Sequence, residues 1–175
     1  MSFQTKYEED LFKNRYARAG TEKCWDDVFQ RVANYVTKDP EKREKYFQAM
    51  SQGYFLPGSP QLWNFGVPGE VTGSSCYTNP IDDTLESIWK ADETARDVYK
   101  ASGGAGFNLS KLRPRGAKIG NSSNPAVGVL SVAERLNLTT RYITAGGRAR
   151  GALMLQLDCD HPDIIEFVLA KRPIA

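Results

Sequence analysis

The sequence predicts an α/β protein that opens with a helical region over residues 1–55 and continues as alternating strands and helices over 56–175. Three observations carry this. Apolar residues recur at helical spacing near the start. A stretch rich in Gly, Pro, Ser and Asn interrupts that pattern at 56–80. Beyond residue 70, short β-type runs alternate with helical ones, the signature of a layered α/β fold. A chain of 175 residues and 19.5 kDa is long enough to bury a core without disulfides or metals.

Taking the elements in order, Trp25, Val28, Phe29, Val32, Tyr35 and Val36 form one apolar stripe. Asp39-Pro40 combines an N-cap with proline at the first helical position, so a second helix starts there. Tyr46, Phe47 and Met50 are expected to mark its buried face, and Gly53 its end. The segment 56–80 reads as extended pieces and turns, with a short strand at Ser75–Thr78. A long irregular stretch within a compact domain is often functional.

Residues 82–101 return to helix. Asp83 and Glu86 have capping-box spacing, and Leu85, Ile88, Trp89, Ala95 and Val98 supply the apolar face. Ser102–Gly106 ends this helix, and Phe107–Leu109 reads as a short strand. Lys111–Pro125 is loop. A helix over 126–143 points Val129, Leu130, Ala133 and Leu136 inward. Residues 145–151 are a basic glycine loop, 152–159 a strand, and His161-Pro162 opens a last helix.

Composition limits the function. The net charge of +2 is spread evenly along most of the chain, so a general polyanion binder such as a DNA-binding protein is not indicated. No apolar run approaches a membrane span, and no basic-then-apolar leader stands at the start, so a cytoplasmic chain is expected. One segment departs from the even mixture: Lys111, Arg113, Arg115, Lys118, Arg135, Arg141, Arg148 and Arg150 are opposed there only by Glu134. Those cations are candidates to face phosphates.

Three cysteines, Cys24, Cys76 and Cys159, lie far apart, and His161 is the single histidine. No zinc-type spacing exists, so no metal site is expected. Cys76 admits two readings: a small buried residue, or a thiol that donates electrons together with a second cysteine. The glycines of GGAGFN and GGRARG fit neither the dinucleotide fingerprint nor the P-loop. Each is a turn, or a place where backbone approaches a ligand closely.

Several segments together resemble the large subunit of ribonucleotide reductase: LPGSPQLWNFG (56–66), SSCYTNPIDDTLESI (74–88), KASGGAGFNLSKLRPRGAKI (100–119), GGRARGALM (146–154) and DHPDIIEFVLAKR (160–172). GGRARGALM with HPDI is most similar to the adenosylcobalamin-dependent class. The resemblance implies the first part of a ten-stranded α/β barrel, incomplete in this sequence. It implies reduction of the ribonucleotide 2′-carbon by thiyl-radical chemistry, in which two cysteines deliver electrons and become a disulfide. Cys76 matches the first of that pair. Ser59, Ser75, Gly103 and Gly104 match substrate-contacting positions.

The same resemblance implies an allosteric site for dNTP or ATP effectors at Asp83, Thr84, Leu85, Arg113, Lys118 and Ile119. It implies a second specificity loop at Ala145, Gly146, Gly147, Arg148 and Arg150. Ala145 stands where many members of the family have glutamine or another polar residue. The finger-loop motif Asn-Pro-Cys-x-Glu, the second reducing cysteine and the C-terminal cysteine pair lie outside the sequence. No ATP-cone-like segment precedes residue 1, so activity control through such a domain is not expected. The expected partners are a ribonucleotide, a C-terminal reductase part or chain that holds most of the cobalamin contacts, a thioredoxin- or glutaredoxin-like reductant and a second copy of the chain. Two alternatives stay open on the residues alone: a non-catalytic dNTP-binding regulatory module and a protein-interaction chain.

Overall fold

The computed structural model describes residues 3–18, 20–69, 72–145 and 149–171, and the chain divides into two units, Met1–Ser75 and Cys76–Ala175. The first unit is helical. Helix α1 (Lys6–Leu11) runs into one π-helical turn, Phe12–Tyr16, followed by α2 (Trp25–Val36), α3 (Pro40–Ser51) and α4 (Ser59–Asn64). Its core is Phe12, Val28, Phe29, Val32, Ala33, Met50 and Leu62. Trp25 stacks on Phe29 and meets the edge of Phe12.

The caps follow from local chemistry. Asp39 accepts from the Glu41 and Lys42 amides at the start of α3, with Pro40 at the first helical position. At its end Gly53, at φ +77°, lets the Gly53 amide reach Met50 O and the Tyr54 amide reach Ala49 O. Cys24 is the N-cap of α2, where the Asp27 carboxylate accepts from the Lys23 amide at 2.7 Å and the Cys24 amide at 3.1 Å.

Two expectations change here. Tyr35, Val36 and Tyr46 are exposed, so the buried stripe of α2 is narrower than the full apolar set, and α3 buries Met50 with part of Phe47. Residues 56–75 belong to the helical unit, so the boundary lies at Ser75/Cys76 and not after residue 55. The cause is α4, read from sequence as irregular. Its Leu62 enters the helical core, and Gln61 and Asn64 donate to Gly73 O and Thr72 O. The Arg31 guanidinium, buried on α2, donates to Leu62 O, Phe65 O and Glu22, fastening α4 to α2.

The second unit is α/β. Strands β1 (Cys76–Asn79), β2 (Gly104–Asn108) and, further on, β5 (Ala152–Gln156) form a parallel sheet in the order β1-β2-β5. Helix α5 (Leu85–Lys100) connects β1 to β2, and α6 (Val129–Tyr142) lies on the crossover from β2 to β5. Between α6 and β5, β3 (Thr144–Ala145) pairs antiparallel with β4 (Ala149–Arg150). Helix α7 (Ile164–Leu169) closes the described chain. Ala91, Ala95, Tyr99, Ala105, Phe107, Leu109, Val129 and Leu136 fill the core between sheet and helices.

Four local readings are corrected. The N-cap of α5 is Thr84, whose hydroxyl accepts from the Ser87 amide, because Asp83 is drawn away to Arg113. The buried face of α5 is Ala91, Ala95 and Tyr99, with Leu85 and Trp89 exposed. Trp89 faces outward because the Arg135 guanidinium lies 3.7 Å over its ring. The strand expected at Phe107–Leu109 is Gly104–Asn108, so most of the glycine run is the central strand itself. The positive φ that ends α5 falls on Ser102 (φ 71°), one residue before the glycines. Finally, α7 starts at Ile164 with Asp163 at the N-cap, so Pro162 precedes the helix.

Candidate functional site

Strand alternation sorts the sheet into two faces. Ala105, Phe107, Leu153 and Leu155 face the helical layer. Cys76, Thr78, Gly104, Gly106, Ala152 and Met154 therefore lie on the opposite face. In the parallel register Cys76 pairs with Gly104, and Gly104 with Ala152. The Cys76 thiol is free and exposed, which rejects its reading as a buried packing residue. Beside it the sheet carries glycine at 104 and 106, so no side chain of β2 covers the row next to the sulfur.

Gly103 has a packing reason of its own. A Cβ there would come within 2.9 Å of Val98 Cγ1 and 3.0 Å of Tyr77 Cε2. Ser75 is exposed immediately before Cys76. Ser59, at the first position of α4 in the helical unit, has its hydroxyl 3.1 Å from Tyr16 OH.

A second locus lies on the helix side. Asp83, Thr84, Leu85, Leu112, Arg113 and Ile119 share one cavity of about 240 Å³. The Asp83 carboxylate accepts from the Arg113 amide at 3.2 Å and from Arg113 Nε at 2.7 Å. Arg113 also donates to Lys118 O, which is how Lys118 joins the group, through its backbone and not its ammonium. The pair is about one-third exposed, open enough to meet a ligand. Ile88 and Val132 line it too, as do Ala126, Val127 and Gly128, which were not singled out from the sequence. Their signal was Gly128, which has φ +84° directly ahead of α6.

The basic excess is partly internal. Lys111 pairs with Asp82, Arg113 with Asp83, Arg115 with Glu166 and Arg135 with Asp92. Those acids lie outside the 111–150 segment and fold back onto it, so it is less cationic than its sequence. Of the second loop, Ala145 and Arg150 lie on the short β3–β4 ribbon, while Gly146, Gly147 and Arg148 are outside the described residues.

Among the described residues no three His, Cys, Asp or Glu side chains cluster as a metal site. His161 is buried and engaged at both ring nitrogens, Nε2 with Leu112 O at 2.9 Å and Nδ1 with the Asp163 amide at 3.1 Å. It has no free nitrogen for the cobalt of a cobalamin. His161 is therefore not a candidate ligand for it.

A helical unit followed by parallel β-α-β-α-β structure defines the class: an α/β unit with a sequentially ordered parallel sheet, preceded by an all-helical region. Residues 2–70 match the all-alpha domain of ribonucleotide reductase and residues 74–175 its barrel domain. The chain belongs to the ribonucleotide reductase large-subunit family. It is 37% identical over 169 residues to the vitamin B12-dependent ribonucleoside-diphosphate reductase of Thermoplasma acidophilum, covering 94% of this chain and 22% of that protein. The enzyme of the same description from Mycobacterium tuberculosis is 37% identical over 129 residues, 73% of this chain and 18% of the relative. Among solved structures, the class Id ribonucleotide reductase alpha subunit of Actinobacillus ureae superposes with a TM-score of 0.78 at 21% identity. That match covers 94% of this chain and 30% of that one. The chain thus spans about a fifth of the length of these curated relatives.

Proposed function

We propose that this chain is the N-terminal part of a ribonucleotide reductase catalytic subunit and serves deoxyribonucleotide synthesis for DNA replication in the cytoplasm. The observation that carries the reading is Cys76, an exposed thiol beside Gly104 on the open face of a sheet, in a chain of this family. A complementary part supplies the radical cysteine. The 2′-hydroxyl leaves as water, the 2′-carbon gains hydrogen, and the thiols of Cys76 and a second cysteine become a disulfide. A thioredoxin- or glutaredoxin-like dithiol then restores them. Gly103 and Gly104 contact substrate beside Cys76, and Ser59 and Ser75 are assigned to substrate binding by the family resemblance alone. The glycines let backbone approach the ribose.

Ribonucleoside diphosphates are the substrates, as in the relatives' descriptions. The vitamin B12 dependence of the same relatives supports adenosylcobalamin as the cofactor of the complete enzyme, supplying its radical. Most of its contacts come from the complementary part.

The cavity at Asp83 and Arg113 is the effector site. Asp83 accepts a deoxyribose hydroxyl, Arg113 faces phosphate, and Leu85 and Ile119 are apolar walls for the base. The loop 145–151 relays effector identity to the substrate side. The complete protein, supplied with a dithiol and adenosylcobalamin, reduces a ribonucleoside diphosphate, and the pure 175-residue chain does not. Turnover by the pure chain, or none by the complete protein, overturns the assignment.

A further inference from the structure

One wall of the cavity at Asp83 comes from the loop of residues 113–128, through Arg113, Ile119 and Ala126 to Gly128, and that loop contains few apolar anchors. Two short bonds shape its neck: the Gly116 amide donates to Ala126 O and the Ala126 amide to Ala117 O. Neither fastens the loop to the rest of the unit. Arg113 ties the loop's first residue to Asp83, and the tie that joins its two ends is Asp163, 7% exposed, at the start of α7.

Asp163 occupies the N-cap position of α7, yet its side chain does not cap that helix. Its carboxylate instead accepts from the Arg115 amide, at 3.1 Å through Oδ1 and 3.0 Å through Oδ2. It also accepts from the Val129 amide at 3.1 Å through Oδ2. Arg115 stands at one end of the loop and Val129 just past the other. One buried carboxylate therefore ties both ends together. Val129 is the first residue of α6, whose N-cap, Gly128, has no side chain to offer. Asp163 supplies that cap from a distant part of the chain.

Three further contacts converge there. His161 Nε2 bonds Leu112 O, and His161 Nδ1 accepts from the Asp163 amide, so the imidazole holds the residue just before Arg113. Arg115 Nε donates to Glu166 on α7. Gly128 is the point of closest approach: a Cβ there would lie 2.7 Å from Asp163 Oδ2 and 2.9 Å from Arg115 Cβ.

We infer that Asp163, with His161, is a positioning residue for the nucleotide cavity, fixing loop 113–128 to the segment that follows β5. The inference rests on the effector reading of that cavity. It gives the His-Pro-Asp sequence a role that the position of a helix start does not. It also gives the cavity a covalent route to the second loop, since β5 begins at Ala152, directly after residues 145–151.

The test measures binding of each of the four dNTPs by calorimetry, and amide exchange at Arg115 and Val129, in the complete protein. Asp163→Ala is expected to raise exchange at both amides and to weaken the tightest dNTP by about tenfold, the effect of leaving buried amides without an acceptor. Asp163→Asn keeps one acceptor oxygen, is the variant to rely on if alanine does not fold, and falls between. Leu155→Ala thins the same core away from the cavity and is the control: it lowers Tm and leaves dNTP affinity unchanged. Wild-type affinity in the folded Asp163 variants overturns the inference while the effector reading stands. Equal loss of affinity in Leu155→Ala reduces Asp163 to a general stabiliser and overturns it too. No dNTP binding by the wild type removes the effector reading itself, and the inference with it.

Discussion

The Asp83 carboxylate accepts both the main-chain amide and the Nε of Arg113, 30 residues further along the chain, at 3.2 and 2.7 Å. This double contact turns a helix-start residue into a wall of a cavity. It explains why Thr84 takes over the cap of α5, and it leaves Arg113, a residue of the cavity's lining, held in one orientation.

Asp83→Asn keeps the shape and removes the charge that orients Arg113. Affinity for the preferred dNTP is expected to fall roughly tenfold, since the ion pair with Arg113 is lost and the ligand hydroxyl meets a neutral acceptor in place of a carboxylate. Calorimetry at fixed salt measures this. Unchanged affinity would detach Asp83 from the effector site.

Cys76→Ser is expected to abolish multiple turnover with a dithiol reductant in the complete reductase while leaving substrate binding intact. The hydroxyl is smaller than the thiol, so it fits the same place, but it cannot form a disulfide. Steady-state kinetics beside equilibrium nucleotide binding separates the two effects. Full turnover in the variant removes Cys76 from the reducing pair.

Gly103→Ala is expected to destabilise the second unit by about 1–3 kcal/mol, the usual range for overpacking. The new methyl would collide with Val98 and Tyr77 between α5 and β1. Thermal unfolding measures the loss. A Tm equal to the wild type would mean that these neighbours yield without strain.

Asp27 carries a pH signature. Hydrogen bonds from the Lys23 amide, and then from the Cys24 amide and thiol, hold its carboxyl below the usual carboxylate range against the opposing effect of burial. A carboxyl lowered in the folded state stabilises above the unfolded value of about 3.9, and this contribution fades as pH falls through the folded value. Asp27→Asn is therefore expected to lower stability at pH 7 by about 1 kcal/mol, the scale of a helix cap. The difference from wild type shrinks below pH 4. Urea unfolding across pH 2–7 checks it, and a difference independent of pH would assign the effect to packing.

Local chemistry was legible in the sequence where the partner is close along the chain. The Asp39-Pro40 start of α3, its Gly53 end and the helices flanking the sheet all follow from neighbours within a turn or two. What was not legible depends on distant partners. Asp83 satisfied every local rule for an N-cap, and Arg113 overruled them. Trp89 reads as core in the periodicity of α5, but Arg135 stabilises it at the surface. The glycines at 103 and 104 read as a turn, whereas the positive φ falls on Ser102, Gly103 leaves room for Val98 and Tyr77, and Gly104 opens the central strand. Asp163 is the extreme case: its carboxylate serves amides 48 and 34 residues away, and no local spacing announces this.

The central claim is that Cys76 is a reducing thiol. The direct test is one turnover of the complete protein, its C-terminal cysteine pair replaced by serine, with a ribonucleoside diphosphate and no external reductant, followed by peptide mapping of its disulfides. The account predicts one equivalent of deoxyribonucleotide, with Cys76 joined to a cysteine outside these 175 residues. Stoichiometric product with Cys76 still alkylatable as a free thiol would contradict it.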